Sequence, residues 1–202
     1  MFVQVFQGRV SDPEAVHAQF DRWVTELAPG ADGWLGSTAG VTDDGMFVAL
    51  ARFESEEAAR RNSERPEQGT WWEGLAGLFT EEPTFHDSDW VDVDTYGDPA
   101  EAGFVQVMQG RSSDATRARE LMSNDPTDWP SFRPDILGSL VCGHEADGWT
   151  MAIYFTSEAA AREGEKKPPP AESEALMKEM SSLSVGAPSF FDLRDPWLVA
   201  PR

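Results

Sequence analysis

Four glutamines stand in otherwise apolar runs: Gln4 and Gln7 in FVQVFQGR (2–9), and Gln106 and Gln109 in FVQVMQGR (104–111). A buried amide needs hydrogen-bond partners. Gln4 and Gln106 are therefore candidates to line a pocket and orient a ligand carbonyl or hydroxyl, with side-chain-to-backbone bonding as the alternative. Arg9 and Arg111 close the same runs and suit an anionic group, or a surface or inter-repeat ion pair. His86 precedes Asp87, and a histidine oriented by an acid can serve as a general base. Adjacent strand residues point to opposite faces, however, which works against a dyad. His86 is the candidate catalytic residue. Trp71, Trp72 and Tyr154 are candidate pocket walls, with core packing (the tryptophans) or surface placement (the tyrosine) as the other reading. His17, between apolar helix positions, reads as a half-exposed helix histidine. His144 follows Cys142-Gly143 with too few neighbouring ligands for a metal, and none is expected.

The elements that must hold these residues come twice. Seven of the eight residues of 2–9 recur at 104–111, an offset of 102. The same offset aligns Leu35-Gly36-Ser37 with Leu137-Gly138-Ser139, Phe53 to Arg60 with Phe155 to Arg162, and Pro66 with Pro168. Two copies of one small domain are expected, 1–93 and 104–202, with 94–103 as linker.

Within one copy, 2–9 has strand composition. Ser11-Asp12-Pro13-Glu14 supplies a helix start, and Val16, Phe20, Trp23, Val24 and Leu27 keep helical spacing. The runs 34–41 and 46–53 flank a hairpin signal. Ser55 caps a second helix, Thr70 to Glu73 fits a capping box, and 85–93 reads as a last strand. The order β-α-β-β-α-β is the ferredoxin-like split unit, an α+β architecture with helices on one face of a four-stranded antiparallel sheet. Strand 2–9 is apolar on both faces, so the sheets of the two copies are expected to pack together as a pseudo-dimeric barrel within a monomer, with further self-association open.

Net charge is −20 over 202 residues, with 36 acidic and 16 basic side chains. Phosphate binding needs Lys and Arg to displace counterions, so nucleic acid and anionic membranes are poor partners. Cys142 is the single cysteine, which removes an internal disulfide or cysteine cluster. The first ten residues lack a signal-peptide pattern, and a cytoplasmic chain is expected. Neither a phosphate-binding loop with Lys nor a GxSxG elbow occurs.

The run Phe47 to Ala58 (FVALARFESEEA), followed by Pro66 and the Leu75/Leu78 pair, resembles the third strand and helix start of antibiotic biosynthesis monooxygenase-like domains of the dimeric α+β barrel superfamily. The resemblance covers both copies. It implies a small-molecule ligand and, in the cofactor-free members, oxygenation of an aromatic or polyketide-like compound. The alternatives are a non-catalytic ligand-binding or structural barrel, and a haem-binding or haem-degrading protein. Cofactor-free quinone-forming members use an Asn, a Trp and a Tyr at places held here by Ala49, Phe53 and Ala59, and in the second copy by Met151, Phe155 and Ala161. Haem-degrading members use a first-strand Asn, near Gln4 and Gln106, and a helix Trp, for which Trp71 or Trp72 stands, but the helix lacks their His. No cofactor is expected.

Overall fold

A computed structural model describes residues 1–201. The first copy contains β1 (Phe2–Arg9), α1 (Pro13–Arg22), β2 (Trp34–Val41), β3 (Met46–Phe53), α2 (Glu56–Ser63), α3 (Pro66–Ala76) and β4 (Thr84–Ser88). β5 (Trp90–Thr95) follows. The second copy contains β6 (Phe104–Arg111), α4 (Ala115–Ser123), α5 (Trp129–Phe132), β7 (Ile136–His144), β8 (Gly148–Phe155), α6 (Glu158–Gly164), α7 (Ala171–Ser182), β9 (Ser189–Leu193) and β10 (Trp197–Val199). The α+β class and the repeated element order follow the sequence reading.

Each sheet is antiparallel and has five strands, in the orders β10-β2-β3-β1-β4 and β5-β7-β8-β6-β9. The expected count was four. The run 85–93 is two strands broken at Asp89, and β5 extends to Thr95, into the segment expected as linker. The fifth strand of the first sheet is the three-residue β10, paired with β2 from Trp197↔Ala39 to Val199↔Ser37. By compactness, the first unit is Met1–Val91 plus the segment from Asp195, and the second is Asp92–Arg194.

Local chemistry sets the helices. Asp12 accepts from the amide of Ala15 at 3.0 Å, and Pro13 occupies the first turn of α1. The same cap recurs at Asp114, and Ser55 and Ser157 cap α2 and α6. Each satisfies one otherwise orphaned N–H. Residues Trp23–Leu27 continue α1 as a π-helical turn. α3 starts earlier than the Thr70 capping box predicts. Pro66, with φ preset for a first helical turn, opens it, and the Thr70 hydroxyl donates back to the Pro66 carbonyl at 3.2 Å.

Side chains alternate across the strands. On β1, Phe2, Gln4 and Phe6 face the helices, and Val3 and Val5 on the other face are fully buried. The first unit's core joins Phe47 and Phe53 to Phe20, Trp23, Trp71 and Leu75. Burying each such large side chain contributes about 1.5–3 kcal/mol. The second unit's helix-side cluster is smaller: Phe104, Ile136, Phe155 and Ala161, with Tyr96, Trp129 and Ile153 against it.

Cys142 on β7 is fully buried, and burial pushes its thiol up to about 12. The thiolate is the reactive form. Ellman's reagent is expected to leave the native protein unlabelled and to titrate one thiol in denaturant. Rapid labelling of the native chain would show that β7 opens readily. Among the described residues, no helix is long and apolar enough to cross a membrane.

Candidate functional site

A cavity of about 70 Å³ opens in the first unit between the sheet and its helices. Its floor is the helix-facing row of β1 and β3: Gln4 and Phe6 beside Phe47, Ala49, Ala51 and Phe53. Its roof is Val16, Phe20, Trp23, Trp71 and Leu75. The two alanines create the space. At the matching places of β8 stand Met151 and Ile153, and Trp149 replaces Phe47.

The second unit lines the corresponding region with different residues again. Ser173 stands where the first copy has Trp71. Its hydroxyl is fully buried and bonds the hydroxyl of Thr127 at 2.5 Å. Asp125 accepts from Thr127 at 2.5 Å and from the indole of Trp129 at 2.9 Å. The Pro- and Trp-rich insertion 126–134 is thus tied down by polar bonds where the first copy has open aromatic walls.

Four polar side chains interrupt the apolar lining: Gln4, Ser37, Asn62 and Gln68. Each is positioned by a second group. Trp23 donates its indole N–H to Gln68 Oε1 at 2.7 Å, and Trp34 donates to Ser37 Oγ at 3.0 Å. Arg65 donates to Asn62 Oδ1 at 2.9 Å and to the Leu27 carbonyl at 3.1 Å. Gln4 donates Nε2 to Asp87 Oδ1 at 3.2 Å. With these bonds made, the amides have a carbonyl (Gln4) and two N–H₂ groups (Asn62, Gln68) left to offer a ligand. The Trp71 indole is spent on the Gln19 carbonyl at 2.7 Å, so Trp71 supplies surface and no polar contact.

Of the residues singled out from sequence, Gln4 and Trp71 line the cavity. Trp72 packs behind it, 5.8 Å from Phe6 and 5.3 Å from Phe85 between ring centroids. His86 pairs with Val5, on the face turned away from the helices, so it is separated from the cavity by the sheet. Arg9 donates to the carbonyl and carboxylate of Asp44, and Arg111 donates to Asp147 at 2.6 and 3.0 Å. Both bonds clamp the strand end to a hairpin turn. The Asp44 carboxyl is lowered by the Thr42 hydroxyl and then Arg9, and the Asp147 carboxyl by Arg111. Tyr154 is buried and pairs with Val105, away from the helices. Gln106 repeats Gln4 and donates to Asp192 at 3.0 Å. His144 bonds Thr150 and Glu145 of its own hairpin.

Within one copy, Asn62, Gln68, Ser37 and the Ala49/Ala51 pair carry no pattern that marks them as lining residues. Aligning the copies finds the alanines, because their partners are Met151 and Ile153. The lining contains no His, Cys, Met or Tyr, so it offers no axial ligand to a haem.

No protein-family model matches the chain, and no curated protein does. Solved structures do. A putative monooxygenase from Lactobacillus acidophilus superposes with a TM-score of 0.72 at 11% identity, over 98% of both chains. Another, from Fusobacterium nucleatum, gives 0.74 at 9% identity, over 98% of this chain and 94% of the other. An anthrone oxidase-like protein gives 0.67 at 10% identity, over 98% and 92%. At such identities the likeness is one of fold. At that level the resemblance to antibiotic biosynthesis monooxygenase-like domains, in tandem, is borne out.

Proposed function

We propose that this chain, built on the fold of those monooxygenase-like proteins, is a small-molecule-binding protein whose ligand enters the first repeat between sheet and helices, while the second repeat is a filled structural copy. One observation carries the reading. An aromatic cavity is held open by Ala49 and Ala51 and studded with amides already oriented by Asp87, Trp23 and Arg65. Ligand pockets have this make-up: apolar walls and a few placed polar groups.

The cavity's size bounds the occupant. A cavity of about 150 Å³ takes benzene, and this one is about 70 Å³. A ring therefore enters with movement of wall side chains, for which Phe6, a partly exposed lining residue, is best placed.

Cofactor-free oxygenation is the activity that the resemblance adds. In that case the dry walls would shield a reactive carbanion from water, and the Asn62 and Gln68 amides would stabilise negative charge developing on a substrate oxygen. Ligand-observed NMR with a panel of compact aromatic compounds tests the reading. Binders are expected, and they should be displaced by filling the cavity from the Ala49 and Ala51 positions. A panel without binders, or binders indifferent to filling, would remove it.

A further inference from the structure

The two copies share one arrangement and complete it differently. In the second, Gln106 holds Asp192, and the Arg162 guanidinium bonds the other oxygen of that carboxylate. Arg162 also lies 5.1 Å from the centroid of the Phe104 ring. Amide, carboxylate, aromatic face and organic cation thus form one unit on the helix side of the sheet.

In the first copy the amide and carboxylate are paired in the same way, Gln4 with Asp87, and Phe2 stands at the place of Phe104, two residues before Gln4 on β1. The cation does not join them. Arg60, which matches Arg162, turns out to solvent and pairs with Glu57 at 2.7 Å and Glu64 at 2.5 Å. Asp87 is exposed, and among the described residues no Lys or Arg reaches it. Gln4, which holds Asp87, lines the cavity, and no lining residue carries a charge.

We propose that the mouth of this cavity binds a small organic cation, a protonated amine on a compact apolar body, with Asp87 as its counter-ion and the aromatic wall as its seat. The inference rests on the cavity being a ligand site, and adds the ligand's charge. The second copy supplies the template, because Arg162 there occupies the place that the ligand's cation takes in the first. Cation–π attraction and a carboxylate partner act together on such a group. An anionic ligand would meet Asp87 and a protein of net charge −20, and the guanidinium nearest the lining, Arg65, is already engaged by Asn62, the Leu27 carbonyl and Glu67.

Three near-isosteric probes separate the outcomes: benzylammonium, benzyl alcohol and benzoate, titrated against tryptophan fluorescence. Salt near 0.15 M leaves a Debye length of about 8 Å, which damps the pull of distant acids. Benzylammonium is expected to bind about fivefold tighter than benzyl alcohol, and benzoate weaker than both. In Asp87→Asn the ratio of amine to alcohol affinity should fall to about one, whatever the variant does to both ligands through its bond to Gln4. Asp87 is exposed, so the variant should fold. Benzoate binding as tightly as the amine, or a preference that survives in Asp87→Asn, would overturn the inference and leave the cavity reading standing. Failure of all three probes to bind would overturn both.

Discussion

The double variant Ala49→Met/Ala51→Ile is expected to lose ligand binding in the first repeat by more than tenfold while keeping the fold. Both alanines sit on β3, lie on the floor of the cavity and are directed at the helices. The new side chains are those that the second copy already carries at the matching places, Met151 and Ile153. A backbone of this kind therefore accommodates them. Displacing a compact ligand from a space of about 70 Å³ takes only a few methylene groups. The cost to stability is that of overpacking, about 1–3 kcal/mol, reduced by whatever part of the added volume fills the void. Titration with a binder from the fluorescence or NMR panel reads the first effect, and urea unfolding reads the second. Binding that survives in a folded double variant would place the ligand elsewhere.

The largest loss of stability is expected from Asp135→Ala. Arg133 and Asp135 form a buried two-pronged ion pair at 3.0 and 2.7 Å, with side chains only 10% and 9% exposed. Arg133 also bonds the Ala161 carbonyl at 3.3 Å and lies 5.6 Å from the centre of the Phe155 ring. Removing the carboxylate leaves a guanidinium buried without its counter-charge, which costs about 3–5 kcal/mol. For a chain of this length that corresponds to a melting-temperature drop on the order of 10 °C. Asp135→Asn should fall between, since an amide oxygen still accepts one bond. Replacing both partners with apolar residues of similar size should cost less than Asp135→Ala alone. A drop of under 1 kcal/mol in Asp135→Ala would show that water reaches the pair. Gly164 fits this picture: a Cβ there would lie 2.1 Å from Arg133 Nε. In the first copy the matching residue is Asn62, and Arg65 from the α2–α3 junction comes to it instead.

Much of this was legible in the sequence. The offset of 102 exposes the duplication, and apolar periodicity with Ser and Asp caps places most helices and strands. The fifth strand of each sheet was not legible, because β5 and β10 are defined by the edges they join. A three-residue run such as Trp197–Val199 has no periodicity to read. The start of α3 differs from the Thr70 box because that box is a strong local signal, while Pro66 acts four residues earlier through backbone geometry. For the site, Gln4 and Trp71 could be chosen because an amide in a strand and an indole on a helix are conspicuous. Asn62 and Gln68 could not, since polar helix residues ordinarily face water. Only the bonds from Arg65 and Trp23 show that they turn inward. A cavity is itself a deficit of side-chain volume, and a deficit shows in sequence only against a filled copy.

The first sheet ends at β10, roughly 160 residues after the β2 edge it covers. At ribosomal rates of about 5–20 residues per second, that edge stays open for roughly ten to thirty seconds after β2 has been made. During this interval β2 offers unpaired backbone groups of the kind that recruit other strands. The ring of Trp197, stacked 4.3 Å from that of His17 and tilted at 5.4 Å from that of Phe20, arrives with the same late segment. The first repeat, though synthesised first, is therefore completed last, when residues 197–199 emerge and cover the β2 edge.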